Sequence, residues 1–128
     1  MDDGAGAGDP KRILVVDDER DVRQLLGDFF RSEGYLVTEA PDASRGLDEL
    51  RDVCPDVVIL DLMMPVMNGW GFVEECRRMN GRDVPIIVIS AMFDLETQTN
   101  ALQSMGVREC IAKPFDLEVM LSLVAKLV

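Results

Sequence analysis

The chain has 128 residues, and its 24 acidic and 13 basic side chains give a formal net charge of −11 at pH 7. The length fits one domain with a hydrophobic core, while the charge argues against direct binding of nucleic acid or an anionic membrane, which need clustered Lys and Arg. Because no histidine is present, the chain has no Ser-His-Asp triad, no histidine-ligated zinc and no phosphohistidine of its own.

The chain begins with a polar segment rich in Gly, Ala and Asp. Residues 1–10 are predicted to form a disordered N-terminal tail, and residues 11–128 to form the folded domain. The tail lacks the features of a signal peptide, and no apolar stretch approaches the roughly 20 residues of a membrane helix. The cysteines, Cys54, Cys76 and Cys110, lack Cys-x-x-Cys spacing and resemble reduced thiols. We therefore expect a cytoplasmic protein without a membrane segment.

Short apolar runs alternate with helical patterns along the rest of the chain. The runs that predict strands are residues 12–17, 35–40, 56–61, 84–90 and 107–112. The segments that predict helices are residues 19–33, 42–53, 69–80, 94–105 and 116–128. Gly34 ends the first helix, and Asp42 is placed to cap the second. Every strand is thus followed by a helix.

Strands this apolar leave no face for water. Five of them alternating with helices predict an α/β fold, in which helices cover both faces of a parallel sheet. Right-handed crossovers leave few arrangements, and the flavodoxin-like, doubly wound (βα)5 fold with strand order 2-1-3-4-5 is favoured. Ligands of such sheets bind beyond the carboxyl ends of the strands, near the switch between strands 1 and 3. The residues at those ends are therefore the candidate site.

Polar side chains stand at the ends of four of the five strands. They are Asp17 and Asp18 after strand 1, Asp61 at strand 3, Ser90 at strand 4 and Lys113 after strand 5. Each one alone has an ordinary explanation as a turn former, a helix cap or a solvated lysine. Together they predict three carboxylates, one hydroxyl and one ammonium group on the same rim.

Three carboxylates on one rim repel one another. Two of them about 4 Å apart cost about 4 kcal/mol at an effective dielectric constant of 20, so the cluster either raises its pKa values or binds a cation. Oxygen ligands without nearby His or Cys indicate Mg²⁺ rather than zinc. Lys113 and Ser90 would then hold phosphate oxygens, opposite a metal-bound carboxylate as nucleophile. The pattern predicts a site for phosphoryl transfer.

From residue 11 to residue 128, the sequence resembles a receiver domain of a two-component response regulator. Four segments carry the resemblance: ILVVDDE at 13–19, VVILDLMMPVMNG at 57–69, IIVISA at 86–91 and AKPF at 112–115. The resemblance implies that Asp61 is the phosphoacceptor and that Asp18 and Asp61 bind Mg²⁺ directly, with Mn²⁺ as a substitute. It also implies that the backbone carbonyl of Met63 is the third protein ligand, and that Asp17 acts mainly through a metal-bound water.

The same resemblance also implies which residues bind the phosphoryl group. Ser90, the backbone N–H of Ala91 and Lys113 would bind it, Pro114 would follow Lys113 by a cis peptide bond, and Gly69 would serve the turn after strand 3. Without a histidine of its own, the chain would take the phosphoryl group from a sensor histidine kinase, a histidine phosphotransfer protein or a small phosphodonor. It would be a signalling domain rather than an enzyme, promoting its own phosphorylation and slow dephosphorylation.

Phosphorylation is expected to shift a population of preexisting conformations. Ser90 would move towards the phosphate and change the surface of helix 4, strand 5 and helix 5, which controls a partner or an output domain. Many receivers place a Tyr or Phe of this switch three residues before the lysine, where this chain has Cys110. We therefore expect the shift to be read out through helix 4 and residues 91–95. Cys110 itself is either a reactive regulatory thiol or a small core residue.

Two further features concern the lifetime of the phosphorylated state and the binding of a second copy or a further domain. Met63 and Met92 stand beside the phosphoryl group in this family and cannot orient a hydrolytic water by hydrogen bonding, which predicts slow self-dephosphorylation. The last helix is apolar except for a narrow polar stripe, Glu118, Ser122 and Lys126. It has either a broad buried face or a surface for a dimer or a further domain. Its apolar end is what we expect of a fragment of a longer protein.

Two other functions deserve comparison with the signalling receiver. A Mg²⁺-dependent phosphatase with an aspartyl nucleophile usually has a second acid two residues later, where this chain has Met63. A flavin-binding electron carrier on the same sheet needs a Ser-, Thr- or Gly-rich phosphate loop after strand 1, and residues 17–19 would repel the phosphate there. The signalling receiver is therefore the favoured interpretation.

Overall fold

The computed structural model describes residues 9–62, 69–79 and 84–128, with side chains described for all of these except 92–97. Within them lie five strands: β1 (Arg12–Val16), β2 (Leu36–Ala40), β3 (Val57–Asp61), β4 (Ile86–Ala91) and β5 (Glu109–Lys113). The helices are α1 (Arg20–Ser32), α2 (Ala43–Val53), α3 (Gly69–Arg78), α4 (Met92–Ser104) and α5 (Leu117–Leu127). All match predicted elements, with ends shifted by at most two residues. Residues 1–8 of the predicted tail and residue 80 lie outside the described residues.

Two strands begin two residues later than predicted, for separate reasons. Pro85 has no backbone N–H to donate to a ladder, and β4 begins directly after it. Val107 is buried, but its N–H donates to the carbonyl of Leu102 (3.1 Å) at the end of α4 instead of pairing in the sheet. Buried apolar side chains therefore extend beyond the hydrogen-bonded strands at both places.

The five strands form one parallel sheet in the order β2-β1-β3-β4-β5. This confirms the predicted 2-1-3-4-5 order of the flavodoxin-like (βα)5 fold. Because the strands are parallel, all of their carboxyl ends lie along one edge of the sheet. The register aligns Asp61 with Ile89 in β4, and Ala91 with Lys113 in β5. The predicted site residues thus share that edge.

Helices cover both faces of the sheet, as the apolar strands predict. The α1–α5 core packs two helices on one face and includes Leu26, Phe30, Met120 and Val124. The α2–α4 core packs three helices on the other face and includes Leu50, Phe72, Val73 and Leu102. Alternate residues of each strand supply the two cores. No helix in the described part of the chain has the length and hydropathy needed to cross a membrane.

The ends of two helices show how local sequence sets their boundaries. Asp42 caps α2, because its Oδ1 accepts a hydrogen bond from the N–H of Arg45 (2.8 Å), as predicted. Asp116 caps α5 in the same way through the N–H of Glu118 (2.8 Å). Within α5, Met120 is fully buried whereas Val119 remains 50% exposed. Part of the apolar surface of α5 therefore packs in the core and part faces outward.

Candidate functional site

Three of the predicted site residues project from the same face of the sheet. Side chains alternate between the two faces along a strand. Each of the three follows, by two residues, a side chain of the α1–α5 core; the pairs are Val15 and Asp17, Ile59 and Asp61, and Ile111 and Lys113. The shared face and the shared strand edge bring their polar ends together, as the sequence predicts.

The ammonium group of Lys113 lies among three carboxylates. Its Nζ is 2.8 Å from Oε1 of Glu19, 3.6 Å from Oδ2 of Asp17 and 3.6 Å from Oδ2 of Asp61. Burial lowers the pKa of Lys113, but the hydrogen bond from Lys113 to Glu19 and the two aspartates raise it more. The pKa of Lys113 thus lies above its usual value, and the side chain is a cation at neutral pH.

Asp17 is buried and only partly hydrogen-bonded. Its Oδ1 accepts a hydrogen bond from the N–H of Glu19 (2.8 Å), whereas Oδ2 is buried without a hydrogen-bond partner in the described part of the chain. Burial raises the pKa of Asp17, and the contacts with Glu19 N–H and Lys113 only partly oppose this effect. A buried carboxylate oxygen with spare acceptor capacity is a place where a cation can bind.

The carboxylates that converge are Asp17, Glu19 and Asp61, whose nearest oxygens all lie within 4.8 Å of one another. Asp18, which the sequence predicts as a direct Mg²⁺ ligand, is exposed and is not one of the three. Met63, the predicted carbonyl ligand, lies outside the described residues. The ligand set of Asp18, Asp61 and the Met63 carbonyl thus stays a prediction. Three hard oxygen donors without His or Cys fit Mg²⁺ or Mn²⁺.

Glu19 is a site residue that sequence reasoning missed. It directly follows the two aspartates and is the N-terminal flanking residue of α1, but its side chain caps no helical N–H. It reaches across to Lys113 instead, from a position where it is 60% exposed. The run of three acids after β1 was the available signal, and the contact with Lys113 depends on how one flexible side chain turns.

Ser90 and Ala91 lie at the carboxyl end of β4, the strand that pairs with β3 and aligns Ile89 with Asp61. Ser90 is 1% exposed, and its hydroxyl has no hydrogen-bond partner among the described residues. It directly follows Ile89, whose carbonyl accepts the N–H of Leu62 (3.0 Å) at the end of β3. A buried hydroxyl without a partner is costly unless it serves a ligand. The position is consistent with the predicted contact to a phosphoryl group.

Two backbone features around the site were also predicted. The Lys113–Pro114 peptide bond is cis, as expected. Gly69 is the first residue of α3. A Cβ at residue 69 would lie 2.7 Å from the Cα of Leu62 and 2.8 Å from its carbonyl oxygen. Glycine is thus needed here because the start of α3 packs directly against the end of β3.

The cysteines differ in exposure. Cys110 is half-buried in β5 and packs against the α2–α4 core, and burial is the main cause that raises its pKa. A raised pKa disfavours the nucleophilic thiolate, which supports the interpretation of Cys110 as a small core residue. Cys76 is buried, and burial raises its pKa to about 12. Cys54 is exposed. The side chain of Met92 lies outside what the structure describes.

Comparison with known proteins assigns the family. The model of the family described as "Response regulator receiver domain" matches residues 13–125. The chain belongs to this family. The family and the fold predicted from the sequence are therefore confirmed, and the receiver is a signalling domain of two-component systems. Response regulators act with sensor kinases, and receiver domains generally bind Mg²⁺ at an acidic pocket such as the one found here.

Named relatives agree with this assignment. The chain is 40% identical over 115 residues to "Response regulator MprA" of Mycobacterium sp. (strain KMS), covering 88% of this chain and 48% of the relative. It is 37% identical over 105 residues to "Probable transcriptional regulator ycf27" of Guillardia theta, covering 82% and 40%. The chain thus spans less than half the length of these curated relatives.

Solved structures show the same fold. The chemotaxis protein CheY4 of Vibrio cholerae superposes with a TM-score of 0.85 at 27% identity, covering 94% of this chain and all of that one. The receiver domain of NtrX from Brucella abortus superposes with a TM-score of 0.81 at 29% identity, covering 89% and 95%. The receiver therefore shares the topology of these domains and covers nearly all of each.

Proposed function

We propose that this receiver accepts a phosphoryl group on Asp61 from a phosphohistidine of a sensor histidine kinase or a histidine phosphotransfer protein. The main support for this proposal is the position of the Lys113 ammonium, 3.6 Å from both Asp61 and the buried Asp17. A buried aspartate beside an ammonium group and a second acid is suited to bind a phosphoryl group rather than to stabilise the fold. The 128 residues contain no histidine, so the donor histidine lies outside them.

Asp61 is the nucleophile in this proposal. One of its carboxylate oxygens attacks phosphorus in line with the P–N bond of the phosphohistidine, and the imidazole leaves as that bond breaks. Lys113 pairs with the phosphoryl oxygens, and the hydroxyl of Ser90 and the N–H of Ala91 donate hydrogen bonds to them. To make that contact, Lys113 moves away from Glu19, its nearest carboxylate in the present structure.

The acidic residues next to Asp61 are proposed to hold Mg²⁺. Asp17 and Asp61, together with Asp18 and the backbone carbonyl of Met63, would hold it, and Glu19 lies close enough to take part. When bound, Mg²⁺ neutralises charge on the transferring phosphoryl group. The buried Oδ2 of Asp17 supports this assignment, because it accepts no hydrogen bond in the described part of the chain and faces only the Lys113 ammonium at 3.6 Å, which leaves acceptor capacity for a metal ion.

The output is proposed to be a change in the surface formed by α4, β5 and α5. Ser90 and Ala91 lead directly into α4, so a hydroxyl drawn towards the phosphate moves the start of that helix. Cys110 lacks an aromatic ring that could swap between buried and exposed positions, so readout through residues 91–95 is favoured. The altered surface would meet a second copy of the chain or an output domain, in a cytoplasmic protein.

The test is phosphorylation by a small donor. The chain is incubated with Mg²⁺ and acetyl phosphate, and its intact mass is measured. We expect an adduct of one phosphoryl group that EDTA prevents and that Asp61→Asn abolishes. Asp56→Asn makes the same chemical change at the opposite end of the β3 region, where Asp56 accepts the N–H of Arg12, and should keep the adduct. No adduct, or steady turnover of acetyl phosphate, contradicts the proposal.

Slow loss of the phosphoryl group is part of the same proposal. Neither Met63 nor Met92 has a side chain that hydrogen-bonds a hydrolytic water. After removal of acetyl phosphate, the adduct should therefore persist long enough to be followed by successive mass spectra. Decay within seconds would contradict this expectation.

A further inference from the structure

One hydrogen bond near the acidic rim, made by Arg23, is not used in the proposed phosphoryl transfer. Arg23, at the end of the first turn of α1, donates a hydrogen bond from Nη1 to the backbone carbonyl of Asp17 (2.8 Å). The side chain of Arg23 is 16% exposed, so its guanidinium is largely withdrawn from water. A half-buried arginine that bonds a backbone oxygen beside a cation site calls for an explanation other than solubility.

The segment that this contact holds is short. Only Asp17, Asp18 and Glu19 connect β1 to α1, and the side chain of Glu19 does not cap the helix. The N–H of Asp17 is fixed by the carbonyl of Ala40 (3.2 Å), and the backbone N–H of Arg23 donates to the carbonyl of Glu19 (3.0 Å). The carbonyl of Asp17 belongs to the peptide group that joins the two aspartates. Arg23 therefore fixes the rotation of that peptide group.

Arg23 is itself held by a carboxylate from β2. Oε1 of Glu39 lies 3.8 Å from Nε of Arg23, and Oε2 lies 2.9 Å from Nη2 of Arg31. Glu39 reaches α1 at Gly27, where an added Cβ would lie 2.5 Å from its Oε2. The absence of a side chain at residue 27 leaves room for this carboxylate. Glu39 thus orients two arginines of α1, and only one of them bonds Asp17.

We propose that Arg23 is a positioning residue for Mg²⁺ binding: it holds the peptide between Asp17 and Asp18 in the orientation that places the Asp17 carboxylate at the cation site and from which Asp18, exposed in the present structure, can turn towards the cation. This inference rests on the proposed function, in which those two acids serve the metal. Residues that orient metal ligands from outside the coordination shell typically change metal affinity by 10–100-fold when they are replaced. Arg23 acts in this way through a backbone oxygen.

Electrostatics alone gives the opposite expectation, and this makes the inference testable. Removing a positive charge next to a cation site should strengthen Mg²⁺ binding. Removing a residue that orients the ligands should weaken it. Arg23→Gln therefore separates the two effects by the sign of the change in Mg²⁺ affinity. We expect the Kd for Mg²⁺, measured by calorimetry on the metal-free protein, to rise about tenfold in this variant.

Arg31→Gln is the matched control. It removes the other arginine that pairs with Glu39 on the same helix but leaves the bond to Asp17 in place. We expect it to bind Mg²⁺ with the wild-type Kd, even if thermal denaturation shows that both variants lose stability. An unchanged or lower Kd in Arg23→Gln, or equal losses of affinity in the two variants, would overturn the inference.

Phosphorylation supplies a second readout. With acetyl phosphate, Arg23→Gln should need about tenfold more Mg²⁺ for half-maximal rate, while saturating Mg²⁺ restores most of the rate. A rate that stays low at saturating Mg²⁺ contradicts a positioning role. If Arg23→Gln does not fold, Arg23→Lys serves instead, because it keeps the charge but lacks the Nη1 donor; a wild-type Kd in it overturns the inference. If wild-type protein binds Mg²⁺ but takes no phosphoryl group, the proposed function fails while the calorimetric comparison still tests Arg23.

Discussion

Replacing Asp17 by Asn is expected to stabilise the metal-free domain. Asp17 is fully buried, and its Oδ2 lacks a hydrogen-bond partner among the described residues. Its attraction to Lys113 at 3.6 Å is worth about 4–5 kcal/mol at an effective dielectric constant of 20. Repulsion by Asp61 and Glu19, whose nearest oxygens lie within 4.8 Å, is at least about 3 kcal/mol for each on the same scale before solvent screens Glu19. Desolvation adds several kcal/mol against the charge.

Together, the repulsion and the desolvation outweigh the attraction to Lys113 and disfavour the charged form of Asp17, in agreement with its raised pKa. Asn keeps the oxygen that accepts the N–H of Glu19 and removes the charge. After relaxation of the site, we expect the free energy of unfolding in EDTA at pH 7 to rise by about 1–2 kcal/mol, within the range by which removal of buried charges often stabilises proteins. For a domain of this size, the melting temperature should rise by about 3–10 °C.

The stability gained by Asp17→Asn should change with pH in one direction. A carboxyl group whose pKa is higher in the folded state contributes stability below its unfolded pKa, near 3.8, and loses that contribution as pH rises through the folded value. The advantage of Asp17→Asn should therefore be largest near pH 7 and shrink as the pH falls towards 4. Urea titrations at several pH values in EDTA measure it.

Asp56→Asn is the control for this substitution, because Asp56 lies away from the rim and accepts a hydrogen bond from the N–H of Arg12 (2.8 Å). It should give no comparable gain. Added Mg²⁺ should reverse the order, since ligand binding to the folded state stabilises the wild type more than a variant that has lost a ligand charge. Equal or lower stability of Asp17→Asn in EDTA at pH 7 would refute the reasoning.

Three further outcomes follow from the contacts described above. Lys113→Gln should fold but be phosphorylated by acetyl phosphate about a hundredfold more slowly, as followed by intact mass; a wild-type rate would show that the ammonium is dispensable. Gly69→Ala should lower the free energy of unfolding in urea by about 1–3 kcal/mol, because the added Cβ meets the backbone of Leu62; an unchanged midpoint would contradict this. At pH 8, Cys54 should react quickly with a thiol reagent, whereas Cys76, whose pKa burial raises to about 12, should react only as the domain unfolds; equal rates in the native state would refute the assignment.

Different residues of the sequence indicate the fold and the candidate site: apolar runs predict the strands, and polar residues at the strand ends predict the site. Continuous apolar runs such as the one ending at Asp61 have few uses other than a strand covered on both faces, and right-handed crossovers then restrict the strand order. Once the order is known, polar residues at the strand ends must share an edge, so Asp17, Asp61 and Lys113 could be brought together without coordinates. Topology, rather than any local motif, carries this part of the prediction.

The same reasoning cannot predict the contacts that long side chains make. Glu19 reaches Lys113 and Arg23 reaches the carbonyl of Asp17 through several rotatable bonds, and nothing in the spacing of these residues selects those conformations. Gly69 shows a different limit: a glycine near a strand end indicates either an unusual backbone angle or a close approach, and only the distance to Leu62 separates the two. Sequence reasoning thus brings Asp17, Asp61 and Lys113 together, whereas the contacts of Glu19 and Arg23 are seen only in the structure.

The charges at the rim give a physical reason for the proposal that a divalent cation and a phosphoryl group share one site. Three carboxylates surround the single ammonium of Lys113, so two formal negative charges remain in a largely buried place. A divalent cation neutralises both, whereas a second lysine would bring one charge and need more room. Under the proposed function, a rim neutralised in this way accepts more readily the negative charge that phosphorylation of Asp61 would add, because Lys113 already has its nearest partner in Glu19. Phosphorylation at low Mg²⁺ must therefore draw Lys113 away from Glu19 without compensation, and this is the physical reason to expect a steep dependence of the reaction on Mg²⁺.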